Sequence, residues 1–140
     1  MDGEKDLIFR TMKAAHDGLP ELGRTRRTLG VKVCPLGIKP ADLAEFDIYP
    51  DSQNRVAPGG GMSVAVGDPR GLPKHRRPRA LGGEGRDPLF ELRVSAVPMA
   101  VRVTEDHPPH AFIEPASLCP LGDYEAALAT TRPDWKARNV

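Results

Sequence analysis

Proline and glycine interrupt this chain so often that only short elements can form. Fifteen prolines and 14 glycines fall among 140 residues, and they are spread between apolar runs rather than gathered in one tail. Proline removes a backbone donor and fixes φ, and glycine loses the most conformational freedom on ordering. A long bundle or coiled coil cannot absorb that density, whereas short strands joined by turns can. The chain is therefore expected to be α+β: a small β-rich domain with long Gly/Pro-rich loops and a C-terminal helix. A hydrophobic share of 39% with 5% aromatic residues allows a modest core. The length fits one domain spanning 1–140. Apolar runs dispersed throughout favour a folded chain over disorder.

Periodicity supplies the elements. Leu7-Ile8-Phe9-Arg10 reads as a first strand or as the start of a helix reaching Ala15. Leu29–Cys34 alternates like a half-buried strand stopped by Pro35. Lys39–Phe46 suits one helical turn with Pro40 near its start, and Phe46–Tyr49 alternates up to a Pro50-Asp51 turn. Met62–Val66 is a strand reached through Gly59-Gly60-Gly61, and Gly67–Pro88 is a long loop. Leu89–Val94, Met99–Thr104 and Ala111–Glu114 alternate as further strands, with Ser95–Pro98 either closing a hairpin or spanning a wider connection. His107-Pro108-Pro109-His110 is a turn. Leu121, Tyr124, Ala127 and Leu128 share one helical face, with Asp123 and Glu125 placed in the first turn. Pro133 ends that helix, and Trp135 is expected to pack back onto the core.

A net charge of +1 gives no global field toward nucleic acid or membrane. Locally the balance is uneven: six Lys/Arg residues between Arg70 and Arg86 face a single acid, Glu84. The N-terminal Met1-Asp2-Gly3-Glu4-Lys5-Asp6 lacks the basic and apolar regions of a secretory signal, and no apolar run reaches membrane-spanning length. A cytoplasmic protein with no membrane partner is expected, and any secretion would use a route without a cleaved signal. Cys34 and Cys119 could pair, but both read as ordinary small residues of a reducing compartment. No metal-type Cys/His spacing is present.

Three constellations could carry chemistry. Gly59-Gly60-Gly61-Met62-Ser63 suits a strand edge that a ligand approaches closely, or simply a turn before a strand with Ser63 facing solvent. It lacks the lysine of a P-loop and the spacing of a dinucleotide fingerprint. Pro73-Lys74-His75-Arg76-Arg77-Pro78 suits an anion site held by prolines, or a solvated basic loop. Glu114, an acid in an apolar strand before Pro115, is either a pocket-edge carboxylate or an exposed strand end. His107 and His110 are possible acid–base groups or a surface turn.

The early Leu7-Ile8-Phe9-Arg10, the central Tyr49-Pro50-Asp51, Pro58-Gly59-Gly60-Gly61-Met62-Ser63-Val64, and the late Glu114 before a closing helix with Trp135 together resemble a known family. They are similar to the small ADP-ribosyltransferase-like toxins related to type VI secretion effectors. The resemblance covers most of the chain as an order of elements; its specific parts are the Asp47–Ala65 block and the Trp-containing tail. It implies the ADP-ribosyltransferase fold, NAD as the cofactor consumed, and Arg10, Ser63 and Glu114 as catalytic residues. Arg10 would hold the NAD phosphates or ribose, Ser63 would support the nicotinamide-ribose pocket, and Glu114 would offset positive charge as nicotinamide departs. Tyr49, Gly60, Gly61, His75, Arg76 and Arg77 would complete the NAD site. The chain departs from the pattern at Ser63, which is not in a Ser-Thr-Ser run, and at Phe112, which stands where a second glutamate would make a Glu-x-Glu pair.

The resemblance implies a toxin acting on a macromolecular target in a bacterial cytosol and neutralised by a cognate, acidic immunity protein or antitoxin. Two other classes fit the residues. A metal-independent ribonuclease toxin would use His75, His107 and His110 with the arginine cluster, although few aromatic residues are present to stack bases. A non-enzymatic module would dock an acidic partner on the basic loop.

Overall fold

Alternating apolar runs become strands wherever no proline intervenes. The structure, a computed structural model, describes residues 6–42 and 44–140. The N-terminal segment 1–5, read above for targeting, and Leu43, inside the expected Lys39–Phe46 turn, lie outside the described residues. In chain order the strands are β1 (Leu7–Thr11), β2 (Arg55–Val56), β3 (Met62–Val66), β4 (Leu89–Arg93), β5 (Val101–His107), β6 (His110–Pro115), β7 (Cys119–Pro120) and β8 (Lys136–Ala137). The single α-helix of the described residues, α1 (Leu121–Thr130), precedes β8. Among the described residues, no helix is long and apolar enough to cross a membrane.

Six strands form one sheet in the order β5-β6-β3-β1-β4-β8, with every neighbouring pair antiparallel. β2 and β7 form a separate two-stranded ladder. This is a small α+β domain with one mostly antiparallel sheet and a C-terminal helix. β4 and β5 lie on opposite sides of the sheet centre, so the Ser95–Pro98 segment spans a wide connection rather than a hairpin.

The pairing is uneven, and that positions the site. β1 pairs with β4 from Leu7↔Arg93 to Thr11↔Leu89. β3 pairs with β6 from Met62↔Ile113 to Ala65↔His110. Between β1 and β3 only Ile8↔Val66 and Phe9↔Ala65 are paired. Beyond Phe9 the two strands part, and the centre of the sheet splits open.

One face of the sheet packs under α1. Ile8, Met62, Val64, Phe90, Leu92 and Ile113 meet Tyr124, Leu128 and Trp135 in the main core. Each large apolar side chain buried this way contributes roughly 1.5–3 kcal/mol. The predicted helical face is the buried one: Leu121, Tyr124, Ala127 and Leu128. Trp135 is packed as expected, and its Nε1 donates to Thr131 Oγ1 at 2.9 Å. Glu125 does not act at the helix start; it forms an ion pair with Arg24 at 2.7 Å. The other face carries a smaller cluster of Phe9, Ala65, Leu72 and Leu89.

Two expected elements differ. Leu29–Cys34 does not keep the expected alternation of burial: Leu29, Gly30, Val31 and Cys34 are buried and Lys32 and Val33 half-buried, and it makes only isolated bridges at Leu29 and Val33. The carbonyls of Thr28 and Gly30 accept from the Arg10 guanidinium, so they are taken by a side chain rather than by a strand. Lys39–Phe46 forms no helix among its described residues, only a turn that the Glu45 N–H closes on Asp42 O at 3.0 Å. Asp42 there accepts the Ala44 N–H on Oδ1, a local side-chain bond that competes with a helix. Cys34 and Cys119 are both free thiols.

Candidate functional site

At the split between β1 and β3 lies a cleft of about 630 Å³. That size lies within the range of small-molecule sites. Its floor includes Arg10, Thr11, Ser63 and Phe112, one wall comes from residues 44–49 with Gly59–Gly61, and the other from Leu72, Pro73, His75 and Arg76.

Arg10 bridges the split. It is 5% exposed. Its Nη1 donates to Ser63 O at 2.8 Å, its Nη2 to Thr28 O at 2.9 Å and Gly30 O at 3.4 Å, and its Nε to Thr28 O at 3.3 Å. These acceptors are all neutral carbonyls, and no carboxylate of the described residues forms an ion pair with it. Burial lowers its pKa to about 10, with Asp47 pulling upward and Arg76 downward. It therefore remains charged at neutral pH, a buried cation without a counter-ion. Charges in that position are costly unless something compensates them.

Tyr124 ties β3 to β6 at the Gly61 end. Its hydroxyl donates to Ile113 O at 2.6 Å and accepts the Met62 N–H at 3.1 Å. Burial raises its pKa, so it stays neutral. A Cβ at Gly61 would overlap Ile113 O and crowd the Tyr124 hydroxyl. Gly61 is thus needed for close approach of strand and helix, which a glycine run before a strand did not by itself reveal.

In the first wall, Asp47 accepts from Arg26 Nε at 3.0 Å and from the Lys32 N–H at 2.8 Å. Phe46 and Tyr49 stand edge to face with ring centroids 6.0 Å apart. In the second wall, neither Arg76 nor His75 forms an ion pair with a carboxylate of the described residues. Burial lowers the Arg76 pKa, with Arg27 and Arg26 adding to the shift and Asp87 and Asp47 opposing it. Three guanidinium groups line the cleft against one carboxylate, Asp47, so the site is electropositive. The Ser63 hydroxyl also lines it and makes no hydrogen bond to the described residues, since Arg10 binds its carbonyl instead.

The second wall belongs to an ordered basic knot, residues 67–88. Short 3-10 turns at Pro69–Gly71 and Arg79–Leu81 sit within it. Glu84 N–H donates to Lys74 O at 2.8 Å and Gly85 N–H to Arg77 O at 2.7 Å. Thr11 Oγ1 fixes the Arg76 carbonyl from β1 at 3.0 Å. A Cβ at Gly83 or Gly85 would overlap the Arg76–Arg77 backbone.

Of the residues expected at the site, Arg10, Ser63, Tyr49, Gly60, Gly61, His75 and Arg76 line the cleft together. Arg77 does not: its Nε donates to Leu72 O at 3.2 Å inside the knot. Glu114 does not line the cleft either. It lies on β6 two residues from Phe112 and one beyond the Met62↔Ile113 pair, at the Gly61 end. It is buried, and Arg102 Nε donates to its Oε2 at 2.9 Å. His107 and His110 do not line the cleft. They share Asp106 at the β5–β6 tip, with Nδ1 to carboxylate distances of 3.4 and 2.6 Å.

Arg26, Asp47, Phe46 and Phe112 line the cleft without having been singled out as binding residues. Asp47 lay within the Asp47–Ala65 block, and Arg26 in a basic stretch. Nothing in the local sequence joins them, because their meeting depends on residues 23–30 folding over β1. No described cluster of His, Cys, Asp and Glu could hold a metal ion. The chain matches no protein family, no curated protein and no solved structure.

Proposed function

We propose that the cleft binds a dinucleotide of the NAD class and that the protein is an ADP-ribosyltransferase-like toxin, transferring or hydrolysing ADP-ribose. The observation that carries the reading is the convergence of three features in one cleft. These are the uncompensated buried Arg10, the free Ser63 hydroxyl, and the aromatic Phe46, Tyr49 and Phe112 beside Arg76. A ligand with anionic phosphates and flat rings matches that lining. With several donors committed to carbonyls, Arg10 contributes its charge and holds Ser63, while Arg76 offers a guanidinium to phosphate oxygens.

Glu114 fits the remaining role by position. It shares a sheet face with Ser63 and Phe112, and Arg102 holds one carboxylate oxygen. A carboxylate there would offset positive charge as the nicotinamide–ribose bond breaks, with an acceptor nucleophile or water taking the ribose carbon. In this reading a neutralising partner accompanies the toxin in its own cytosol.

Release of nicotinamide from NAD, measured chromatographically for wild type, Ser63→Ala and Glu114→Gln, tests the proposal. Turnover by wild type that falls at least about a hundredfold in Glu114→Gln is expected. A folded wild-type protein that neither binds nor consumes NAD would sink it. The ribonuclease alternative is disfavoured because His107 and His110 are engaged by Asp106 and do not line the cleft that His75 lines.

A further inference from the structure

Most arginines of the described residues are neutralised within the molecule. Arg24, Arg26, Arg27, Arg55, Arg70, Arg102, Arg132 and Arg138 each pair with a carboxylate. Among the described residues, Arg93 on β4 and the lysines form no ion pair, and the cations of the knot beyond Arg70 are unpaired too, but there they are gathered in one short segment. Lys74, Arg79 and Arg86 are exposed and form no ion pair among the described residues. Glu84 lies beside Lys74 along the backbone without an ion pair to any of them. Asp87, next to Arg86, is already taken by Arg27 at 2.8 Å.

These cations are also held in place. The knot's internal hydrogen bonds, its anchor on Thr11 and the glycines against Arg76–Arg77 fix their backbone. A solvated loop with no role needs neither a rigid backbone nor unneutralised charge, since like charges held together repel. Preorganised cations lose less entropy when an anionic partner binds.

We infer that Lys74, Arg79 and Arg86 form a docking surface for an acidic segment of a partner protein, beside the cleft mouth. A polypeptide fits better than a nucleic acid on two grounds. The net charge of +1 and the short patch provide no extended track for a phosphate backbone. No Phe, Tyr or Trp lies between Gly67 and Pro88 to stack bases. Because His75 and Arg76 of the same knot line the cleft, a partner seated on Lys74 lies against its rim. The inference does not depend on the NAD reading.

The test uses the full chain and two probes: a fluorescent oligoglutamate peptide and a single-stranded oligonucleotide of equal charge. Wild type is expected to bind the peptide with an affinity that falls as NaCl rises. Lys74→Gln/Arg79→Gln/Arg86→Gln should weaken it about tenfold. A control with the same change in net charge, Lys13→Gln/Lys39→Gln/Lys136→Gln, should bind within about twofold of wild type. Equal loss in both triple variants, no peptide binding by wild type, or tighter binding of the oligonucleotide than of the peptide would each overturn the inference. If the knot variant fails to fold, Lys74→Glu against Lys39→Glu makes the same comparison. NAD binding by the knot variant is expected to match wild type, so failure of the docking surface is read separately from failure of the cleft.

Discussion

The two walls of the cleft handle charge in opposite ways. In the wall of residues 44–49, the cleft-lining carboxylate of Asp47 neutralises Arg26 and accepts the Lys32 N–H, so it has internal partners. In the wall of residues 72–76, Arg76 and the cations behind it have none among the described residues. The first wall is built to be stable. The second spends backbone order on holding charge that only another molecule can neutralise.

The largest test concerns Arg10, which belongs to both descriptions. Arg10→Ala would strand the buried carbonyls of Ser63, Thr28 and Gly30, and is expected to cost about 3–5 kcal/mol in urea unfolding. A loss below about 1 kcal/mol would mean that the guanidinium is held for a ligand and not for the fold.

Next, Gly85→Ala should destabilise by about 2–3 kcal/mol, because its Cβ would meet the Arg76 carbonyl. The same variant should weaken anion binding if the knot's order matters. Unchanged thermal stability would show the knot to be loose.

Asp47→Ala should cost about 1–2 kcal/mol by leaving the Lys32 N–H unpaired and Arg26 free. It should also tighten pyrophosphate binding, measured by calorimetry, since the cleft loses its carboxylate. Weaker binding would reverse the assignment of the walls. Arg76→Gln should do the converse, changing stability by less than about 0.5 kcal/mol while lowering pyrophosphate affinity about tenfold.

The smallest effect is one of pH. The Asp87 carboxyl lies below its usual range, first through the hydrogen bond from Arg27 and against the opposing effect of burial. A depressed carboxylate contributes stability that is present above its unfolded pKa and lost as pH falls through the folded one. Stability should therefore decline below about pH 4, and only slightly on account of this pair because Arg27 is half exposed and solvent screens it. Asp87→Asn should flatten that decline. An identical acid profile in the variant would remove the pair from the account.

Much of the fold was legible because local patterns and global burial agreed. Met62–Val66, Leu89–Arg93 and the face Leu121/Tyr124/Ala127/Leu128 alternate or repeat as their packing requires. Leu29–Cys34 also alternates in sequence, but neither its burial nor its pairing follows, and Arg10 takes the Gly30 carbonyl. The site was partly legible for a similar reason. Ser63, His75 and Arg76 stand out by residue type, whereas Asp47 and Arg26 acquire meaning only from contact with each other across 21 residues.

The sequence by itself determined that this chain is built of short elements, closes with an amphipathic helix and carries a dense basic segment. Those properties follow from residue type and spacing, which act locally. Tertiary structure alone decided that β1 and β3 part after Phe9, that a buried arginine fills the gap, and that the basic segment folds into a knot forming one wall of the cleft. Such outcomes depend on which distant carbonyls and carboxylates reach each cation, a competition that no local pattern records.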